Sequence, residues 1–198
     1  MHRLGLLPFI KALFVHSDGN RNALSLKRFG DCTLRQFSAL TNVRQLVLDC
    51  LDIPSFMPRV WRYFGHFSPT VQGLRLAIPK GSRWQIIYFI GLFEHLQDLE
   101  IADDAGDPPG EPEDDPTLTP LLTPPLRGRL KLSHFRRVGL VRGMIDLFGG
   151  FRFRVLDIFN VAGVPLLLNA CVKTLTTLHL YPSDPRGRLF SLKLAHTQ

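Results

Sequence analysis

Apolar residues in this chain recur as a short triplet with the spacing Leu-x-x-Leu-x-Leu, usually followed by a longer stretch of helical period. The triplets are Ile10, Leu13, Val15; Val43, Leu46, Leu48; Val71, Leu74, Leu76; Leu96, Leu99, Ile101; Phe153, Leu156, Ile158; and Leu175, Leu178, Leu180. Leu130 and Leu132, after Leu126, give a weaker copy. In an extended chain the last two residues of a triplet point one way and the residue between them points the other, so each triplet predicts a short strand with one apolar face. In a chain that is 45% hydrophobic a single triplet carries no weight, and the signal lies in the recurrence. The central residues Leu13, Leu46, Leu74, Leu99, Leu130, Leu156 and Leu178 follow one another at intervals of about 22 to 33 residues, around the range of leucine-rich repeats, the longer ones being ascribed to inserted loops.

Helical periodicity fills the intervals. Within Ser82 to Phe93, residues Trp84, Ile87, Tyr88, Gly91 and Leu92 recur at i, i+3, i+4, i+7 and i+8 and predict one broad apolar face. Met57, Val60, Trp61, Phe64 and Phe67 form another, and Val141, Met144, Ile145 and Phe148 a third that Gly149-Gly150 should stop. Val164 to Thr174 opens with Pro165 in its first turn and carries Leu167, Ala170 and Cys171 on one side, while Leu34 to Leu40 is a shorter candidate. A strand or helix of this kind cannot bury its apolar side alone, so the units must stack on one another. The predicted fold is α/β: a leucine-rich-repeat solenoid with a curved parallel sheet of about seven strands and helices on the convex side, forming one irregular domain over residues 1–198.

Two stretches depart from the pattern. Residues 103–125, DDAGDPPGEPEDDPTLTPLLTPP, are acidic and proline-rich with few large apolar side chains before Leu118, and predict a disordered inserted loop. Residues 182–198 repeat the triplet as Leu189, Leu192 and Leu194 too soon after Leu178 for a helix to intervene, which makes them an atypical C-terminal end, either a closing strand or a frayed tail. Ser68-Pro69, Thr119-Pro120 and Thr123-Pro124 have the form of proline-directed phosphorylation sites, although turn dipeptides are the plainer reading.

Charge changes the picture in one respect. The formal net charge is +7, yet Asp103 to Asp115 holds seven of the 17 acids and no base, so the remaining chain sets 24 bases against 10 acids. Arg127 to Arg154 is the most basic stretch, with Phe135, Phe151 and Phe153 interleaved, which makes RNA binding an alternative reading. Internal pairing with the acidic stretch, or a plain solvated face, is preferred. Cys32, Cys50 and Cys171 form no C-x-x-C pair and are read as small hydrophobes in a reducing, intracellular setting, cytoplasmic or nuclear. No membrane association is expected, because Pro8 and Lys11 interrupt the N-terminal apolar run and Ile86 to Phe93 is too short to span a bilayer.

The chain carries none of the common hydrolase, nucleotide-binding or metalloprotease motifs, and its seven histidines never pair at metal-ligating spacing. The acidic run lacks the alternating pattern of a calcium loop. A non-enzymatic role without cofactor or metal is therefore expected. The functional candidates come from geometry. Between the inward-pointing leucines, Phe14, Val47, Arg75, Glu100, Lys131, Asp157 and His179 should face the concave side, and two positions further lie Asp49, Ala77, Ala102, Ser133, Phe159 and Tyr181. Arg75, Glu100, Lys131, Asp157, Phe159, His179 and Tyr181 are the partner-binding candidates. Such a row is about 30 Å long, a length suited to a protein surface or an extended peptide.

The segments YFGHFSPTVQGLRL (Tyr63 to Leu76), LFEHLQDLEI (Leu92 to Ile101) and NACVKTLTTLHLYPSDPRG (Asn169 to Gly187) resemble the leucine-rich-repeat part of F-box-like proteins of mushroom-forming fungi. The likeness runs from about Ile10 to Gly187 and marks no active site. It implies a protein-binding scaffold, the substrate-recognition half of a ubiquitin-ligase subunit, acting on a protein partner; the chain itself is expected to be a monomer. No F-box of the usual length precedes Ile10, so a Skp-type adaptor is not expected to bind this chain. The other readings are an RNA-binding repeat protein and a truncated paralogue with no retained function. The asparagine usual after the last strand leucine is replaced at Leu51, Pro79, Asp104, Phe135, Val161 and Ser183, which predicts irregular repeats.

Overall fold

The computed structural model describes residues 9–15, 39–50, 53, 63–103, 125–181 and 190–193. Its strands are β1 (Ala12–Val15), β2 (Gln45–Asp49), β3 (Gly73–Ala77), β4 (Asp98–Ala102), β5 (Leu126–Ser133), β6 (Phe151–Phe159), β7 (Thr177–Tyr181) and β8 (Phe190–Lys193). Helices α1 (Arg83–Gly91), α2 (Val138–Leu147) and α3 (Val164–Cys171) follow β3, β5 and β6. The strands form one sheet in chain order, β1 to β8. β1 to β7 run parallel, and β8 turns back antiparallel on β7. The C-terminal segment thus supplies an eighth strand beyond the expected seven, and the sheet does not close on itself.

The register explains why the triplets recur. Leu13, Leu46, Leu74, Leu99, Leu130, Leu156 and Leu178 lie side by side, as do Val15, Leu48, Leu76, Ile101, Leu132, Ile158 and Leu180. Between β2 and β6 these residues are fully buried in one continuous core that also takes in the helices. The first residue of several triplets, Val43, Val71, Leu96 and Leu175, sits just before its strand and is also buried. There the backbone turns sharply: the carbonyls of Lys11, Arg44 and Gln72 each accept two successive amides of the next unit, and this change of direction gives the triplet its three-residue first step.

The strands end in a repeated device that the sequence did not announce. Cys50, Ile78, His134 and Asn160, each the first residue past its strand, adopt positive φ. The amides of Cys50, Ile78 and His134 donate to the carbonyl of the last residue of the neighbouring strand, Ala77, Ala102 and Phe159, at 2.7 to 2.8 Å. Asn160 and His134 are of types enriched in this conformation, whereas Ile78, β-branched, is strained there.

Helix α1 corrects the predicted face. Ile86, Phe89, Ile90 and Phe93 are buried together with Ile87, whereas Trp84, Tyr88, Gly91 and Leu92 are only half-buried. The helix is apolar nearly all round because it is covered on two sides: Trp84 and Ile87 meet α2 at Gly143, where an added Cβ would lie 2.7 Å from Ile87 Cδ1. Ser82 and Gln85 close its start as a reciprocal capping box. α2 buries Val141, Met144 and Phe148 as expected, with Leu140 in addition. It ends at Gly149-Gly150, both at positive φ, where the Gly150 amide returns to the Ile145 carbonyl. α3 buries Leu167 and Cys171, with Pro165 in its first turn.

Phe64 and Phe67 are buried beside α1, with residues 63–65 forming a short helical turn, while residues 57–62 of the helix expected over Met57 to Phe67, most of Leu34 to Leu40, and residues 104–124 lie outside the described residues. Asp103 does not belong to a loose acidic loop: it is buried at the end of β4 with its Oδ2 2.8 Å from Arg137 Nε. That contact is ionic rather than a directed hydrogen bond, since the N–H does not point along it. Arg137 also donates to the carbonyls of Gly81 (3.0 Å) and Pro79 (3.2 Å), and so ties the loop after β5 to the loop after β3. Among the described residues no helix is long and apolar enough to cross a membrane.

Candidate functional site

The face of the sheet opposite the helices carries the residues between the leucines. Because β1 to β7 are in register, Phe14, Val47, Arg75, Glu100, Lys131, Asp157 and His179 form one row across seven strands. Asp49, Ala77, Ala102, Ser133, Phe159 and Tyr181 form the next. All seven candidates therefore lie on one face, and they fall into three groups.

The first is an ion network on β3 to β5. Lys131 Nζ lies 2.9 Å and Arg75 Nε 3.6 Å from the same Glu100 oxygen, and the side chains remain partly exposed. Beside it an open groove of about 360 Å³ runs over β1 to β5, with Phe14 and Val47 on one side, Arg75, Glu100, Arg129 and Lys131 on the other, and Gly73 in its floor. Gly73 has neighbours only at ordinary contact distance from an added Cβ, 3.5 Å to Gln45 Cγ and 3.9 Å to Asp98 Cβ. Nothing in the fold forbids a side chain there, and its absence leaves that part of the groove open.

The second group is centred on Asp157. It was expected at the surface; instead it is 1% exposed, beneath two neighbours that use both its oxygens. Arg129 donates from Nε to Oδ2 at 2.6 Å, and His179 donates from Nδ1 to Oδ1 at 2.7 Å, which places the hydrogen of a neutral ring on Nδ1. Burial by itself pushes the Asp157 carboxyl up, but the two hydrogen bonds and their charges outweigh it and hold the group below the usual carboxylate range. The hydrogen bond that Arg129 donates to Asp157 in turn raises the guanidinium above its ordinary value. Ser191 on β8 is the register partner of His179, so Asp157, His179 and Ser191 follow one another across three strands. No hydrogen bond joins Ser191 to the ring among the described residues.

Arg129 was not among the candidates. It lies one position before the Leu130 of its triplet, where a regular strand gives no reason to single it out, and a bulge aims it. Gly128, at φ +91, pairs with Phe153 while Arg129 pairs with Val155, leaving Arg154 as an extra residue on β6.

The third group is aromatic. Phe159 packs 4.6 Å from His134 and 6.2 Å from Tyr181, which is partly exposed. Among the described residues no cluster of three or more histidine, cysteine or acidic side chains is arranged to hold a metal ion. No protein-family model matches this chain, and neither a curated protein nor a solved structure matches it significantly.

Proposed function

We propose that this chain is an irregular leucine-rich-repeat module that binds a protein partner on the uncovered face of its sheet. In this reading it is a non-enzymatic scaffold like the substrate-recognition half of an F-box ubiquitin-ligase subunit, working inside the cell. One observation carries the proposal: the parallel register gathers Arg75, Glu100, Lys131, Asp157, His179 and, one row on, Phe159 and Tyr181 on a single face. A long, open surface of mixed charge with a shallow groove at one end and aromatic side chains at the other suits another protein.

RNA binding is the second reading, and exposed Arg127, Arg152 and Arg154 favour it. Against it, Phe135, Phe151 and Phe153, the aromatics expected to stack on bases, are all buried.

The test is crosslinking of partners in cells by the wild type and by the triple variant Arg75→Ala, Lys131→Ala, Tyr181→Ala, with circular dichroism to show that both are folded. Asp157 is left intact because its loss would disturb the sheet itself. The variant should lose the partners that the wild type captures. An identical set of partners would remove the uncovered face as the binding surface.

A further inference from the structure

We propose that Arg127, Arg152 and Arg154 are the docking point for an acidic segment of the partner, a run of Asp and Glu side chains laid across the start of β5 and β6. The inference rests on the protein-binding reading and names the chemistry of what is bound. Arg127 and Arg152 are direct register partners on adjacent parallel strands, and Arg154 is the extra residue at the bulge next to them. All three are exposed, on the side opposite buried Leu126, Phe151 and Phe153.

Two like charges directly opposite one another in a sheet repel, and folding alone gives no reason to keep them. Their surroundings sharpen the point. Further along the same face three bases of β3 and β5 have an acid: Arg129 has Asp157, while Arg75 and Lys131 share Glu100. Among the described residues no carboxylate lies within ion-pair distance of Arg127, Arg152 or Arg154. The sheet thus pairs Arg75, Arg129 and Lys131 with its own acids and leaves Arg127, Arg152 and Arg154 without a carboxylate among the described residues. Because Leu126, Phe151 and Phe153 anchor the strands from below, the arginines are held close together before anything binds, and an arriving anion relieves repulsion that is already present.

The geometry favours carboxylates on a peptide over a nucleic acid backbone. Alternate side chains of an extended peptide are about 7 Å apart, the spacing of Arg152 and Arg154 along their strand. The nearest aromatics face the core and offer bases nothing to stack on.

The test is fluorescence anisotropy with a short labelled peptide alternating Glu and Ser, a Gln and Ser peptide of equal length, and an oligouridine of equal charge. The proteins are the wild type, Arg152→Gln with Arg154→Gln, and Arg136→Gln with Arg142→Gln, which removes equal charge from exposed residues outside the cluster. The wild type should bind the Glu peptide in a salt-dependent way and not the Gln peptide. Arg152→Gln with Arg154→Gln should weaken it about tenfold or more, and the control pair by less than about twofold. The cluster variant should also unfold at a temperature no lower than the wild type, since repulsion has been removed.

Absence of binding by the wild type, equal weakening by both variants, or tighter binding of oligouridine would each overturn the inference. So would peptide binding seen only after Asp104, Asp107, Glu111, Glu113, Asp114 and Asp115 are changed to amides, because the chain's own acids would then be the occupant. If the peptide fails here while Arg75→Ala, Lys131→Ala, Tyr181→Ala still loses its partners, only the acidic docking point falls and the binding face stands.

Discussion

Asp157 is held out of water with Oδ2 taken by Arg129 and Oδ1 by His179, so its charge is matched on both sides within one row of the sheet. Substitution by asparagine keeps the shape but turns an amide nitrogen toward one of two donors. Arg129 and His179 are exposed enough to find water, which limits the loss to about 1–3 kcal/mol rather than the larger figure for a fully enclosed pair. The variant should also change how stability depends on pH. The carboxyl is held below the usual range, so on acidification the unfolded chain takes up this proton first. The Asp157 contribution is therefore complete above the ordinary carboxylate value of about 3.9 and is lost as pH falls through the depressed one. Urea unfolding of both proteins across the acid range checks this: the difference in stability between wild type and Asp157→Asn should shrink as the solution is made more acid. A constant difference would mean that the charge of Asp157 does not act in the fold. Ile78 shows the opposite situation, a residue in a conformation its type resists, tolerated because its amide closes a bond to Ala102 and its side chain is exposed.

Strand β5 carries the strongest constraint at the level of an element. A Cβ on Gly128 would lie 2.0 Å from the Gln97 carbonyl oxygen, the atom that also accepts the Arg129 amide at 2.7 Å. Gly128→Ala must push β4 and β5 apart at that point and adopt a φ that side chains resist, for a loss of about 2–4 kcal/mol in chemical denaturation. It should also free Arg129 from Asp157. A loss under about 0.5 kcal/mol would show that the bulge is not fixed by this glycine. The example marks what the sequence makes legible. Periodicity found every parallel strand and its register, because leucines at alternate positions have only one covered face to enter. It did not find the bulge, since a glycine among basic residues carries no periodic signal, and so it missed Arg129 and took Asp157 for a surface group. The phase of α1 was missed for a related reason: a helix packed on two sides has too many apolar positions for spacing to choose among them. The left-handed strand ends were hidden because Cys50 and Ile78 are not residue types that announce that conformation, and a single histidine or asparagine, as at His134 and Asn160, is too common to mark it.

Across the whole molecule the two faces of the sheet answer to different demands. The covered face is filled to contact, with leucine against leucine from β2 to β6, and leaves no choice of side chain. The uncovered face contains a position, Gly73, where a side chain would fit and where a strand in a protein shaped by stability alone would carry one. Gly73→Val tests whether the groove is kept open for a partner. Valine prefers extended backbone, meets Gln45 and Asp98 at ordinary contact distance, and would fill the part of the groove between those two neighbours. The expected outcome is a gain of about 1 kcal/mol, a rise of about 2–4 °C in the midpoint of thermal unfolding. It should be accompanied by weaker capture of whatever the wild type binds through this face. Both readouts are needed, because they separate the two demands: a protein that becomes more stable and still binds equally well places the contact surface away from the groove, toward Asp157 and Tyr181, whereas one that loses both was relying on Gly73 for backbone freedom, which its neighbours at 3.5 Å or more give no reason to expect.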